Sequence, residues 1–213
     1  MSSYVLGLSG SPVKDGNTDA FLEHLLSVVK GKGFETESVK LSDLGLRDCI
    51  HCNFCMVKQK PDRYCSLDDG AQALFEKVER ADILILASPV YFMRQSGYMA
   101  SFLDRLRVFI YGNVAGGRLK NKVGVSAAVS WLRHGGIETT HLSQIYGFWT
   151  LDMIPATVQN CISPMGASAV ASPGGSGKFE KDVRLGVTLD EPGLRSGMAI
   201  MDRAVELLQL VRR

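Results

Sequence analysis

The sequence predicts an α/β protein in which a five-stranded parallel sheet is covered by helices on both faces. Short apolar runs such as 4–8 and 83–87 alternate with longer segments of helical periodicity, which is the order of elements in a doubly wound sheet. These runs are apolar throughout, as expected of strands that are buried on both faces. A chain of 213 residues suits one such domain, so we predict a single domain over residues 1–213.

The predicted strands follow from apolar runs and, at the second strand, from a loose alternation typical of a sheet edge. They cover 4–8, 34–41, 83–87, 123–129 and 156–161. The second and the last are the weakest of these patterns, whereas 83–87 is an uninterrupted apolar run.

The predicted helices follow from apolar residues at three- and four-residue spacing. They cover 18–30, 71–79, 97–111, 135–150 and 192–211. Gly31 and Gly33 end the first helix, and Pro192 stands near the start of the last. Segment 49–65 contains Pro61 and lacks a helical period, so we predict a cysteine-rich loop, inserted at 47–68. The Gly-, Ser- and Pro-rich segment 163–178 is predicted to be a long, mobile loop.

Composition narrows the range of partners and locations. The net charge is +2, with 22% charged and 46% hydrophobic residues, so nothing favours nucleic acid as a partner. The amino terminus lacks a basic segment followed by an apolar one, and the longest apolar run contains Pro89 and is too short to span a membrane. We therefore predict a cytoplasmic protein without a membrane partner. Four cysteines lie between 49 and 65, which in that compartment indicates metal or redox chemistry.

The loop after the first strand has the features of a phosphate site. A strand that turns directly into a helix leaves unpaired N–H groups at the start of the helix, and these favour an anion. Short polar side chains and glycines surround that point: Ser9, Gly10, Ser11, Pro12, Gly16, Asn17 and Thr18. No Gly-Lys-Ser/Thr closes the loop and its glycines do not match G-x-G-x-x-G, so it suits a phosphate monoester without Mg²⁺, such as FMN. The alternative is a turn and a helix cap without a ligand.

Two further loops are expected at the same edge of the sheet. In a flavodoxin-like strand order, 2-1-3-4-5, the ligand lies between the loops after strands one, three and four, here 9–18, 88–96 and 129–136. The residues that can offer N–H groups and an aromatic face to a planar ring are Pro89, Val90, Tyr91 and Phe92. Those at the ring's pyrimidine edge are Ser130, Gly135 and Gly136. The alternative for the two aromatic residues is simple packing at the end of a strand.

The same segments resemble the NADPH-dependent FMN reductase family over about residues 4–150. The matching motifs are Ser9-Gly10-Ser11-Pro12, Gly16-Asn17-Thr18, Ser88-Pro89-Val90-Tyr91, Asp104-Arg105 and Gly135-Gly136-Ile137-Glu138-Thr139-Thr140. The cysteine loop, followed by Asp68-Asp69, is similar to the iron–sulfur flavoprotein branch of that family.

This resemblance implies a flavodoxin-like fold and non-covalently bound FMN. It also implies electron transfer linked to NAD(P)H or ferredoxin, and a homodimer or homotetramer with flavins near the subunit interfaces. The residues that would hold the phosphate are Ser9, Ser11, Asn17 and Thr18, and the ring would be flanked by Pro89, Val90, Tyr91 and Phe92.

The cysteine spacing indicates a metal centre. Cys49, Cys52 and Cys55 stand at two-residue gaps, and Cys65 follows after nine further residues, a longer gap than is typical of the similar branch. Three close thiolates and a distant one match the ligand pattern of 4Fe-4S ferredoxins. Two alternatives remain: a structural zinc on the same thiolates, and free or disulfide-forming thiols without a cluster. Cys161 lies apart and is predicted to be a core residue.

We therefore expect an FMN-dependent oxidoreductase that passes electrons from NAD(P)H or ferredoxin to a small-molecule acceptor. The flavin N5 atom would carry the chemistry, so no catalytic side chain is predicted. Two alternatives remain: an electron carrier without a substrate of its own, and a cysteine-based redox or metal sensor that binds no flavin.

Overall fold

The computed structural model describes residues 3–159 and 161–212. Its strands are β1 (Tyr4–Ser9), β2 (Glu35–Lys40), β3 (Ile83–Tyr91), β4 (Arg94–Gln95), β5 (Val123–Ser130), β6 (Ile154–Pro155) and β7 (Ala167–Val170). Its α-helices are α1 (Asn17–Lys30), α2 (Phe54–Val57), α3 (Ala71–Arg80), α4 (Gly97–Arg105), α5 (Ile137–Thr150) and α6 (Glu191–Val211). None of these helices is long and apolar enough to cross a membrane.

The sheet is parallel along its main path, in the order β2-β1-β3-β5-β6. Leu6 pairs with Leu84, and Ile85 pairs with Val125, so the carboxyl ends of the three central strands lie together. β4 folds back on the end of β3 as an antiparallel hairpin, and β7 pairs with the end of β5 in parallel. The predicted doubly wound, flavodoxin-like architecture is confirmed, with seven strands instead of five.

The predicted fifth strand is placed wrongly by the sequence. No strand occurs at 156–159 or 161, and Asn160 lies outside the described residues. The place beside β5 is shared by β6, next to Val123 and Gly124, and β7, next to residues 127–130. β7 lies inside the predicted long loop 163–178. Its Ala-Ser-Ala-Val sequence has little strand preference of its own, and its pairing with β5 gives it strand geometry.

The remaining boundaries differ from the prediction for local reasons. The helix predicted over 97–111 ends at Arg105 and continues as a 3₁₀ turn over Leu106–Phe109. The helix predicted from residue 135 begins at Ile137, because Gly136 has a φ of 99°, which a helix does not accept.

Side chains that alternate along the central strands are buried on both faces of the sheet. Leu6 and Leu84 face a core formed with α3 and α4, where Phe75 and Phe102 are fully buried. Their neighbours Val5, Ile83 and Ile85 face a second core formed with α1 and α6. The three layers explain why the strand sequences are apolar throughout.

A fully buried histidine lies between β5, β7 and α5. His141 Nδ1 is 2.7 Å from Ser126 Oγ, and His141 Nε2 is 2.7 Å from Ser168 Oγ. Ser126 donates its own proton to Gln144 Oε1 at 2.5 Å, so Nδ1–H donates to Ser126 and the neutral Nε2 accepts from Ser168. Burial lowers the pKa of His141 to about 4. Both ring nitrogens therefore have hydrogen-bond partners within the core. No sequence pattern indicated this residue.

Acidification should destabilise the protein through His141. Its folded-state pKa is about 4 against an ordinary value of 6.5, so the unfolded chain takes up the proton first and stability is lost as the pH falls from 6.5 towards 4. Between about pH 7.5 and pH 5 this residue should remove about 2 kcal/mol from the free energy of unfolding. Urea titrations at the two pH values measure this loss, which should be about 2 kcal/mol larger in wild type than in His141→Gln. An equal loss of stability in the two proteins would contradict the assignment.

Candidate functional site

The loop between β1 and α1 presents helix amides to a cavity. The N-cap residue of α1, Gly16, has no side-chain oxygen to cap the helix, and the first bond it accepts comes from the N–H of Ala20. The N–H groups of Asn17 and Thr18 are therefore left for a ligand, and the dipole of this 14-residue helix favours a negative charge there.

The cavity measures about 320 Å³, which is within the usual range for a small-molecule site. It is bounded by the loops after β1, β3 and β5 and by a segment near residue 184. The predicted residues that line it are Ser11, Gly16, Asn17, Thr18, Pro89, Val90, Tyr91 and Ser130. The structure thus brings together the three loops that the sequence places at one sheet edge.

Ser9 does not line the cavity, and its hydroxyl already forms a hydrogen bond. It is buried, and its Oγ donates to Asp19 Oδ1 at 2.5 Å. Lys40 donates to Asp19 Oδ2 at 2.5 Å and to the Val13 carbonyl at 2.6 Å. This chain of polar contacts fixes the loop against the end of β2. Ser9 therefore acts on the shape of the phosphate loop and does not line the cavity.

Asn17 ties the loop to a distant part of the chain. Its Oδ1 accepts from the N–H of Val187 at 3.0 Å, and its Nδ2 donates to the Arg184 carbonyl at 3.4 Å. Ser11 Oγ accepts from the N–H of Val13 at 3.1 Å and remains at the cavity wall. The side chain of Asn17 thus holds residues 184–187 beside the loop between β1 and α1.

The β3–β4 hairpin forms a projecting tip next to the cavity. Its turn residues, Phe92 and Met93, have φ angles of 50° and 63°. Such angles are uncommon for bulky residues and occur most often at functional sites. Phe92 is 98% exposed and does not line the cavity. Burial raises the pKa of Tyr91, which does line it.

Gly135 and Gly136 lie outside the cavity lining, and Gly136 packs against that hairpin. A Cβ atom on Gly136 would come within 2.5 Å of Met93 Cα, and one on Gly135 within 3.1 Å of the Leu132 carbonyl. Thr139 Oγ1 also donates to the Met93 carbonyl. The absence of side chains here lets the β5 loop pack directly against the hairpin backbone. Pro12 likewise lies in the β1 loop without lining the cavity.

Residues 171–190 cover the β5 loop, and no sequence pattern indicated this contact. Trp131 Nε1 donates to the Gly177 carbonyl at 2.7 Å, and its ring stacks on Phe179 with centroids 6.5 Å apart. Arg133 forms a bidentate pair with the buried Asp190, at 2.6 and 3.2 Å. The first of these contacts, at Gly177, lies within the segment 163–178 that the sequence predicts to be a long loop.

Two cationic side chains line this cavity. Lys14 and Arg184 both line it, and within residues 3–159 and 161–212 neither forms an ion pair with a carboxylate. Lys14 stands within the phosphate loop and could have been singled out from the sequence. Arg184 could not, because only the fold brings it beside a loop more than 160 residues earlier.

The four cysteines of the loop line a second, small cavity of about 20 Å³. These are Cys49, Cys52, Cys55 and Cys65. All are free thiols, and in the described part of the chain no three Cys, His, Asp or Glu side chains already stand close enough to hold a metal ion. The fold thus gathers the predicted thiols in one place. Cys161 lies elsewhere, at a half-buried position.

The thiols of this cavity differ in their environments. A hydrogen bond with Ser66 Oγ, 3.0 Å away, and the N–H of Phe54 lower the pKa of Cys52. Burial raises the pKa of Cys55; the charge of Arg107 opposes this shift, and the nearby thiols add to it. Cys49 and Cys65 therefore lie close enough to Cys55 to affect its pKa.

A buried ion pair anchors the cysteine loop to α4. Arg105 contacts both carboxylate oxygens of Asp69, at 2.9 and 3.1 Å, and donates to the Arg47 carbonyl at 2.7 Å. Burial acts to raise the pKa of Asp69, but Arg105 and the N–H groups of Arg47 and Ala71 outweigh it, so the pKa is lowered. Both ends of the loop are thereby fixed to the core.

Comparison with known proteins identifies the family of this chain. Residues 3–165 match the family described as NADPH-dependent FMN reductase. The chain belongs to the NADPH-dependent FMN reductase family. An iron–sulfur flavoprotein of Methanocaldococcus jannaschii is 32% identical over 210 residues, covering 98% of this chain and 99% of the relative. An iron–sulfur flavoprotein of Methanosarcina thermophila is 35% identical over 136 residues, covering 64% of this chain and 68% of the relative.

Solved structures of low sequence identity share the fold of this family member. RosB with bound 8-demethyl-8-formylriboflavin-5'-phosphate has a TM-score of 0.75 at 16% identity, covering 99% of this chain and 81% of that one. The apo form of an NADH:FMN oxidoreductase has a TM-score of 0.61 at 16% identity, covering 96% and 90%. An archaeal flavodoxin has a TM-score of 0.55 at 11% identity, covering 99% of both chains.

Replacing Gly136 with alanine should displace the hairpin. The new Cβ would meet the Met93 backbone, which cannot move aside like the end of a side chain, so we expect a loss of about 2 to 4 kcal/mol in the free energy of unfolding. Gly33→Ala is a matched control, because Gly33 also has a positive φ but has open space around its Cβ position. It should cost only about 1 kcal/mol. Equal losses in urea unfolding would contradict the steric account.

Proposed function

We propose that this member of the family binds FMN in the 320 Å³ cavity and uses it to pass electrons from NAD(P)H or ferredoxin to a small-molecule acceptor. The observation that carries the proposal is the convergence of the β1, β3 and β5 loops with the uncapped start of α1. The FMN chemistry named for the family and for the NADH:FMN oxidoreductase neighbour supports it.

The residues of the cavity fit the parts of FMN. The amides of Asn17 and Thr18, with Ser11 and the cations Lys14 and Arg184, suit a phosphate monoester. Pro89, Val90 and Tyr91 offer an apolar and aromatic wall to a planar ring. When bound, FMN supplies hydride and one-electron chemistry at its ring. This chain contributes binding, orientation and shielding from water, and no side chain is assigned as an acid or base.

We further propose that the cysteine loop holds a 4Fe-4S cluster as a second redox group. Its donor set consists of four thiols in one place, and Cys52 already has a lowered pKa, which favours the thiolate form that binds iron. Cys52 is the exposed member of this set, and Cys55 is the buried one. When bound, such a cluster supplies one-electron transfer.

FMN binding should depend on Arg184 in a way that riboflavin binding does not. Because Arg184 is exposed and has no carboxylate partner in the described chain, its loss should weaken FMN roughly three- to tenfold through the phosphate alone. Fluorescence titration of deflavinated Arg184→Gln with each ligand measures this. Arg195→Gln, an exposed arginine on α6, is the control. An equal effect on riboflavin would place the phosphate elsewhere, and no FMN binding by wild type would favour the sensor alternative.

Iron and sulfide should depend on the loop cysteines. Anaerobically purified protein is expected to contain iron and acid-labile sulfide, and Cys52→Ser should lose most of both. Cys161→Ser removes a half-buried thiol outside the cavity and should leave both contents unchanged. Zinc in place of iron, or equal iron in the two variants, would refute the cluster.

A further inference from the structure

Two arginine side chains at the cysteine cavity each leave one buried N–H without an acceptor. Arg105 and Arg107 line the cavity together with the four thiols. Their Nε atoms are buried and lack a hydrogen-bond partner in the described part of the chain. Buried donors are normally satisfied, so two such atoms beside one cavity need an explanation.

The rest of each guanidinium is held in place by other contacts. Arg105 uses both Nη atoms on Asp69 and the Arg47 carbonyl, at 2.7 to 3.1 Å. Arg107 Nη2 donates to Asn53 Oδ1 at 3.1 Å, and its guanidinium lies 5.6 Å from the centre of the Tyr111 ring. Both guanidinium groups are therefore held by contacts of their Nη atoms, while neither buried Nε–H has an acceptor in the described residues.

Both arginines lie at the same cavity as the four thiols. The sulfur atoms of a bound cluster would lie beside these side chains, and sulfur accepts hydrogen bonds from such donors.

We propose that the Nε–H groups of Arg105 and Arg107 donate to the sulfur atoms of the iron–sulfur cluster and raise its reduction potential. The inference rests on the proposed cluster. Reduction adds one negative charge to the centre, and a fixed positive charge with a hydrogen-bond donor stabilises that charge. The arginines are positioning and tuning residues, since neither replaces a thiolate ligand.

The test is a redox titration of the cluster followed by electron paramagnetic resonance. Arg107→Gln should shift the oxidised-to-reduced equilibrium roughly tenfold towards the oxidised form, a midpoint 59 mV more negative for a one-electron couple. Arg107→Lys keeps the charge without the planar Nε–H and should fall between. Arg203→Gln changes a partly exposed arginine on α6, which is paired with Glu206 away from the cysteine cavity, and it should match wild type. Arg105→Gln also leaves Asp69 without its partner and would destabilise the fold, so Arg107 is the decisive position.

The outcomes separate this inference from the proposed function. A cluster in wild type with the same potential in Arg107→Gln overturns the role of the arginines and leaves the cluster standing. Wild-type protein without iron overturns both. A negative shift in Arg107→Gln at wild-type iron content, with no shift in Arg203→Gln, supports the proposal.

Discussion

The parallel pairing of β1, β3 and β5 is the constraint on which the candidate flavin site depends. Because all three strands run in one direction, their carboxyl ends reach the same edge, and the loops that follow them must meet there. The start of α1 adds its free amides to that meeting point. A one-residue slip of a central strand would turn its side chains to the opposite core and would move its loop away from the cavity.

Two long-range contacts then complete the two candidate centres. Asn17 holds residues 184–187 beside the phosphate loop, which brings the Arg184 charge to the cavity. The Arg105–Asp69 pair holds the cysteine loop against α4, and its loss would leave a buried charge unpaired, at a cost of about 3 to 5 kcal/mol. In both centres a polar side chain holds a segment that is distant from it in the sequence.

The sequence predicted what local patterns determine. The apolar runs of β1, β3 and β5, the helical periods around them and the glycine-rich loop are all local, and they sufficed for the architecture and for the three loops. The sequence did not predict β7, because Ala-Ser-Ala-Val becomes a strand only beside β5. The sequence did not predict the Phe92-Met93 turn, because bulky residues are not among the residue types that mark turns. Arg184, His141 and the Nε donors of Arg105 and Arg107 depend on contacts between distant segments, which a single sequence does not display.

A crystal structure of the protein grown with FMN tests the central claim most directly. The account predicts the phosphate within hydrogen-bond distance of the first-turn amides of α1 and beside Arg184, with the ring against Tyr91. Occupied FMN with its phosphate away from α1, or FMN bound outside the cavity formed by the β1, β3 and β5 loops, would contradict it.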